Sequence, residues 1–108
     1  FANAVGVGYT NRAPRLVLEI LLGIEAAFGR DRSYEATRRC RSLDLDVLDH
    51  AGLQLDEPGL QLPHPRLGQR EFVLRPLLEI APGFVDARSG VCATELMARL
   101  RASRLELQ

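Results

Sequence analysis

The sequence predicts an α+β domain. Two segments alternate with the period of a strand, and two longer ones repeat apolar residues at helical spacing. Turns bearing Gly and Pro separate them. With no internal repeat, low-complexity tract or linker, the 108 residues read as one domain with one hydrophobic core.

The first segment sets Phe1, Asn3, Val5, Val7 and Tyr9 against Ala2, Ala4, Gly6 and Gly8, a strand with one large and one very small face. Gly6-Val7-Gly8 is not a dinucleotide fingerprint, because Asn11 stands where the third Gly belongs. Asn3 is a polar amide among apolar neighbours. It is either a strand-end residue satisfied by backbone or an amide that reads a ligand. Pro14 then opens a helix at a position where a missing N–H costs nothing. Leu16, Val17, Ile20, Leu21, Ile24, Ala27 and Phe28 form its stripe, and Gly29 is a natural stop. Glu19 and Glu25 lie off the stripe, where a solvated face is the default.

A loop dense in Arg30, Arg32, Arg38, Arg39 and Arg41 leads into the central stretch, Arg41-Ser42-Leu43-Asp44-Leu45-Asp46-Val47-Leu48. Its alternation puts Leu43, Leu45 and Val47 on one face of a strand and Asp44 and Asp46 on the other. Asp is poorly suited to strand interiors, so two at i and i+2 call for a reason. Strand geometry sets their Cα atoms roughly 6.5 Å apart with both carboxylates pointing one way. That pair suits hard divalent cations bridged to phosphate oxygens, and the flanking arginines suit the phosphate itself. An amphipathic strand with a solvated acidic face is the plainer alternative.

Downstream, His50-Ala51-Gly52 reads as a turn, Leu53-Gln54-Leu55 as a short strand and Asp56-Glu57-Pro58-Gly59 as another turn. Two prolines around His64 hold Leu62-Pro63-His64-Pro65-Arg66 extended; His64 is either a surface residue or a fixed ligand contact. Glu71-Phe72-Val73-Leu74 is expected as a strand that Pro76 ends, which would place Arg70 and Phe72 on one face. Pro82-Gly83 is a turn. A last helix is expected over Ala93 to Leu105, with Leu96, Met97, Leu100 and Leu105 inward and its arginines near the negative end of the dipole.

Composition narrows the function classes. Fourteen basic and fourteen acidic residues cancel, leaving no electrostatic footprint for nucleic acid or an anionic membrane. Every basic residue is Arg, which excludes P-loop, Schiff-base and lysine-base mechanisms. Cys40 and Cys92 lie far apart with no clustered His, so a zinc site is not expected. No apolar run reaches transmembrane length and no signal segment is visible, so a cytoplasmic protein is expected. The chain opens at Phe1, in mid-strand by this reading, and reads as a fragment.

Together, Phe1-Ala2-Asn3, Ile24-Glu25, Gly29-Arg30-Asp31-Arg32, Arg41-Ser42-Leu43-Asp44-Leu45-Asp46, Leu62-Pro63-His64-Pro65-Arg66 and Arg70-Glu71-Phe72-Val73-Leu74 resemble one family. With Pro76-Leu77-Leu78-Glu79-Ile80-Ala81-Pro82 added, the resemblance runs to about Pro82. The family is 2-amino-4-hydroxy-6-hydroxymethyldihydropteridine pyrophosphokinase. The resemblance implies transfer of diphosphate from ATP to 6-hydroxymethyl-7,8-dihydropterin, releasing AMP, in folate biosynthesis. It implies that Asp44 and Asp46 hold two Mg²⁺ ions and that Arg30 and Arg41 close on the transferred group. By the same token Glu25, Arg32, His64 and Arg70 line the ATP site, Phe1 and Phe72 sandwich the pterin, and Asn3 reads its edge. No nucleic acid, membrane or obligate protein partner is implied.

The fold implied is a ferredoxin-like antiparallel sheet with helices on one face, incomplete at the N-terminus. One partial domain over 1–108 is therefore expected to fold marginally and to lack turnover by itself. The sequence departs from the family at Arg38-Arg39-Cys40 and at Val85-Asp86-Ala87. A non-catalytic degenerate homologue, or an α+β module binding a ligand or RNA, is the alternative.

Overall fold

A computed structural model describes residues 2–28 and 43–106. Phe1, Arg30, Arg32 and Arg41 therefore lie outside the described residues. The fold is α+β, and the described residues hold three α-helices and a two-stranded antiparallel sheet. The chain forms two compact units, Thr10–Val47 and the combination of Phe1–Tyr9 with Leu48–Gln108.

In the first of these units, helix α1 spans Pro14–Phe28, as the stripe and Pro14 predict. The Leu16 and Val17 amides both donate to Ala13 O at 3.1 Å, which closes the first turn. None of its residues is fully buried. Residues 43–47 keep the predicted alternation, with Leu43, Leu45 and Val47 half-buried and Asp44 and Asp46 exposed. They do not form the expected strand, however, and neither do residues 2–9. Strand pairing needs a neighbour for alternate N–H and C=O groups. Among the described residues the one β-ladder lies elsewhere in the chain.

That ladder is a hairpin of β1, Leu55–Glu57, and β2, Leu60–Leu62, in the register Leu55↔Leu62, Asp56↔Gln61, Glu57↔Leu60. Its loop is Pro58-Gly59, with Gly59 at φ 76, the conformation that favours glycine. The strand therefore sits two residues later than expected, because the tight turn needs only Pro58 and Gly59. The preceding turn is as predicted: Ala51 and Gly52 both have positive φ, and the Leu53 amide donates to His50 O at 3.0 Å. Leu60 and Leu62 are buried, and a 3₁₀ turn over Leu67–Gln69 follows.

Helix α2 spans Glu71–Ile80, where a strand was expected over 71–74. Phe72-Val73-Leu74 has β character locally, but burial of both Leu74 and Leu77 requires a three-residue spacing on one face. A helix also satisfies its own backbone without a partner strand. Pro76 lies inside it rather than ending a strand, removing the amide that would bond Phe72 O. Helix α3, Ala93–Glu106, packs on α2 through a core of Leu67, Leu74, Leu77, Ala93 and Met97. Leu96 and Leu100 are half-buried against that core, whereas Leu105 is 71% exposed rather than inward. Glu71 at the start of α2 meets Arg101 and Arg104 near the end of α3, so the two helices run antiparallel. Leu105 lies at the end of α3 where α2 has already begun, with no further turn of α2 to cover it.

Two outcomes follow for stability. Leu74→Ala removes a fully buried side chain from this core, and a denaturant melt should show a loss of about 2–5 kcal/mol. The Arg101 hydrogen bond, helped by the charges of Arg104 and Arg75, holds the Glu71 carboxyl below its ordinary value of 4.5. Its contribution is complete above the unfolded value and is lost as pH falls through the lower folded one. Melts at about pH 5.5 and about pH 3.5 should show that acid-side loss shrinking in Glu71→Gln.

Candidate active site

In the unit built on α1, the acidic pair flanks a backbone contact. The Leu45 amide donates to Glu25 Oε2, joining the segment to α1 between the two aspartates. Glu25, expected on a solvated face, is thus half-buried and engaged with backbone. With Leu43, Leu45 and Val47 turned inward, Asp44 and Asp46 are both left exposed at i and i+2. Among the described residues no group of three or more His, Cys, Asp or Glu is placed to hold a metal ion. Two exposed carboxylates fit a hard divalent cation that completes its shell with water and phosphate oxygens, and do not fit a closed protein cage.

In the other unit, Asn3 and Phe72 line one groove of about 420 Å³ together with Glu71, Arg75, Pro76 and Glu79. Val5 packs against the core and so anchors the segment that carries Asn3. Phe72, Arg75, Pro76 and Glu79 stand at i, i+3, i+4 and i+7, one face of α2, while Leu74 and Leu77 turn to the core. Reading 71–74 as a strand concealed this face, and with it Glu71, Arg75 and Glu79. The helical spacing itself was the signal that would have found them.

Arg70 and Phe72 are adjacent, though not as neighbours on a strand. Arg70 is the extended residue before α2, and its guanidinium carbon lies 5.6 Å from the centre of the Phe72 ring. This cation–π contact covers one side of a ring that remains half exposed. His64 is held by its backbone at both sides: its amide donates to Leu48 O at 2.8 Å, and its carbonyl accepts from the Leu67 amide. Its Nδ1 accepts from the Arg66 amide at 3.1 Å, so the neutral ring carries its proton on Nε2. Arg88 Nη2 donates to Leu62 O at 2.9 Å, bracing the same segment from the 81–92 loop.

No helix of the described residues is long and apolar enough to cross a membrane. The family model for 7,8-dihydro-6-hydroxymethylpterin-pyrophosphokinase matches residues 1–82. Three proteins named 2-amino-4-hydroxy-6-hydroxymethyldihydropteridine pyrophosphokinase are similar to the chain. That of Synechocystis sp. is 42% identical over 88 residues, covering 82% of this chain and 44% of its own length. That of Methylorubrum extorquens is 42% identical over 106 residues, covering 98% and 65%. That of Pseudomonas aeruginosa is 42% identical over 82 residues, covering 76% and 49%. The chain thus spans about half the length of the curated relatives it matches. A match over most of the chain, together with relatives at this identity, shows that the chain belongs to the 7,8-dihydro-6-hydroxymethylpterin-pyrophosphokinase family.

Proposed function

We propose that the protein transfers diphosphate from ATP to the hydroxymethyl oxygen of 6-hydroxymethyl-7,8-dihydropterin, releasing AMP, as a step of folate biosynthesis. The observation that carries this reading, beside family membership, is the groove shared by Asn3 and the half-exposed Phe72. A flat polar heterocycle needs an apolar face to stack on and an in-plane amide to pair with its edge. Phe72 supplies the first and Asn3 the second, and the family pattern assigns Phe1 to the other face of the pterin.

The substrate hydroxyl attacks the β-phosphorus as the bond from that phosphorus to the α,β-bridging oxygen breaks. AMP leaves, and the hydroxyl proton passes to solvent. Asp44 and Asp46 would hold two Mg²⁺ ions, which when bound offset charge on the transferred phosphates. Glu25 belongs to the nucleotide site, where its carboxylate also holds the Leu45 amide between the two aspartates. His64 donates from Nε2, and Arg70 and Arg32 offer planar donors to ATP oxygens. Arg30 and Arg41 close on the transferred group and stabilise its developing charge.

Pterin-dependent release of AMP from ATP tests the reading. Asp44→Ala and Asp46→Ala should each lower turnover by about 100-fold or more at saturating Mg²⁺ while the denaturant melt is preserved. Near-parental rates in both would overturn the metal assignment. Phe72→Ala should raise the KM for the pterin about tenfold. His64→Ala should act mainly on the KM for ATP. ATP binding without any pterin-dependent AMP would instead favour a non-catalytic homologue.

A further inference from the structure

Helix α2 begins without a side-chain cap and with Pro76 inside it. Arg70, the residue before it, makes no side-chain capping bond. Pro76 has no amide to give the Phe72 carbonyl, so the first turn also lacks one of its backbone bonds. At the start of the turn the Arg70 carbonyl accepts from both the Val73 and Leu74 amides at 3.0 Å. Yet this turn carries Phe72, which lines the groove, and is entered through Arg70, whose guanidinium lies over the Phe72 ring.

The anchor comes from α3. Arg101 Nε lies 3.3 Å and Arg104 Nη1 3.4 Å from Glu71 Oε1, and Arg75 Nη2 lies 3.8 Å from Oε2. Both carboxylate oxygens are engaged, from two helices. The Glu71 side chain is 28% exposed, whereas the three arginines are more than half exposed, so the carboxylate is the hub and the guanidinium groups its rim. The body of α3 is seated by Ala93 and Met97 in the core, which gives the two arginines a firm base. Both arginines lie beyond residue 82, where the family match ends.

We propose that Glu71 is a positioning residue, through which Arg101 and Arg104 of α3 fix the first turn of α2 and thereby place Arg70 and Phe72 for ligand. The functional half of this rests on the pyrophosphokinase reading; the structural half does not. Glu71 itself touches the groove from the side that Arg75 shares. Loss of the clamp lets the turn sample orientations in which the Phe72 ring no longer lines the groove it shares with Asn3. The cost falls on ligand binding, on the pterin through Phe72 and on ATP through Arg70, rather than on the chemical step.

The test uses the double variant Arg101→Gln/Arg104→Gln, the conservative pair Arg101→Lys/Arg104→Lys, and Glu71→Gln. In ligand-free protein, hydrogen exchange at the Val73 and Leu74 amides should quicken about threefold to tenfold in both Gln variants, with the Met97 and Leu100 amides unchanged. The KM for the pterin should rise by a similar factor while kcat changes less than about twofold, and the Lys pair should recover most of the loss. Unchanged exchange overturns the proposal whatever the kinetics show. Faster exchange with an unchanged KM reduces the cluster to a surface brace and overturns it as well. A parent protein without pterin-dependent turnover defeats the reaction assigned above, and the exchange rates then decide by themselves whether the clamp exists.

Discussion

The packing of Leu74 and Leu77 of α2 against Ala93 and Met97 of α3 is the contact on which the described structure depends. It decides that residues 71–80 are helical, since only helical spacing turns both leucines to one core. It then decides what the opposite face presents. With the leucines inward, Phe72, Arg75, Pro76 and Glu79 are aligned outward along the groove that Asn3 completes. Core and groove are two sides of one ten-residue helix.

Backbone satisfaction is the second constraint. Residues 2–9 and 43–47 carry the alternation of strands without a ladder among the described residues. Over 43–47 alternating burial survives without strand hydrogen bonding, because that side-chain pattern follows from which residues avoid water, whereas over 2–9 only Val5 is half-buried and Val7 and Tyr9 are exposed. Around the acidic pair, a side chain takes the place of a neighbouring strand: the Leu45 amide goes to Glu25. The same economy appears in the 81–92 loop, where Asp86 accepts from the Arg88 amide and the Ser89 hydroxyl while its own amide bonds Val91 O. Arg88 then reaches Leu62 O, and Gln54 reaches Ala87 O, tying that loop to the hairpin region that precedes His64.

An all-arginine cationic set shapes the electrostatics. A guanidinium can stack on a ring or share a carboxylate at the same time as it offers further donors. Arg70 does the first over Phe72, and Arg75, Arg101 and Arg104 do the second around Glu71. Zero net charge overall thus conceals a local excess of positive charge beside the groove, three arginines on one carboxylate.

Much was legible from residue spacing. Pro14 and the stripe behind it gave α1, the Leu43/Leu45/Val47 pattern gave the inward and outward sides of the acidic segment, and Gly52 and Gly59 marked turns. These are local matters, set by backbone geometry and by which side chains leave water. The motifs around Asp44, Asp46, His64, Arg70 and Phe72 were likewise readable as a family pattern. The helical state of 71–74 was not, because Phe-Val-Leu suits a strand until Leu77 and a facing helix are both in place. Nor could spacing show that Leu105 overhangs, that Glu25 meets Leu45, or that Arg101 and Arg104 converge on a residue thirty or more positions earlier. Those contacts join residues far apart in sequence, and only tertiary packing brings their charges and hydrogen-bonding groups within reach.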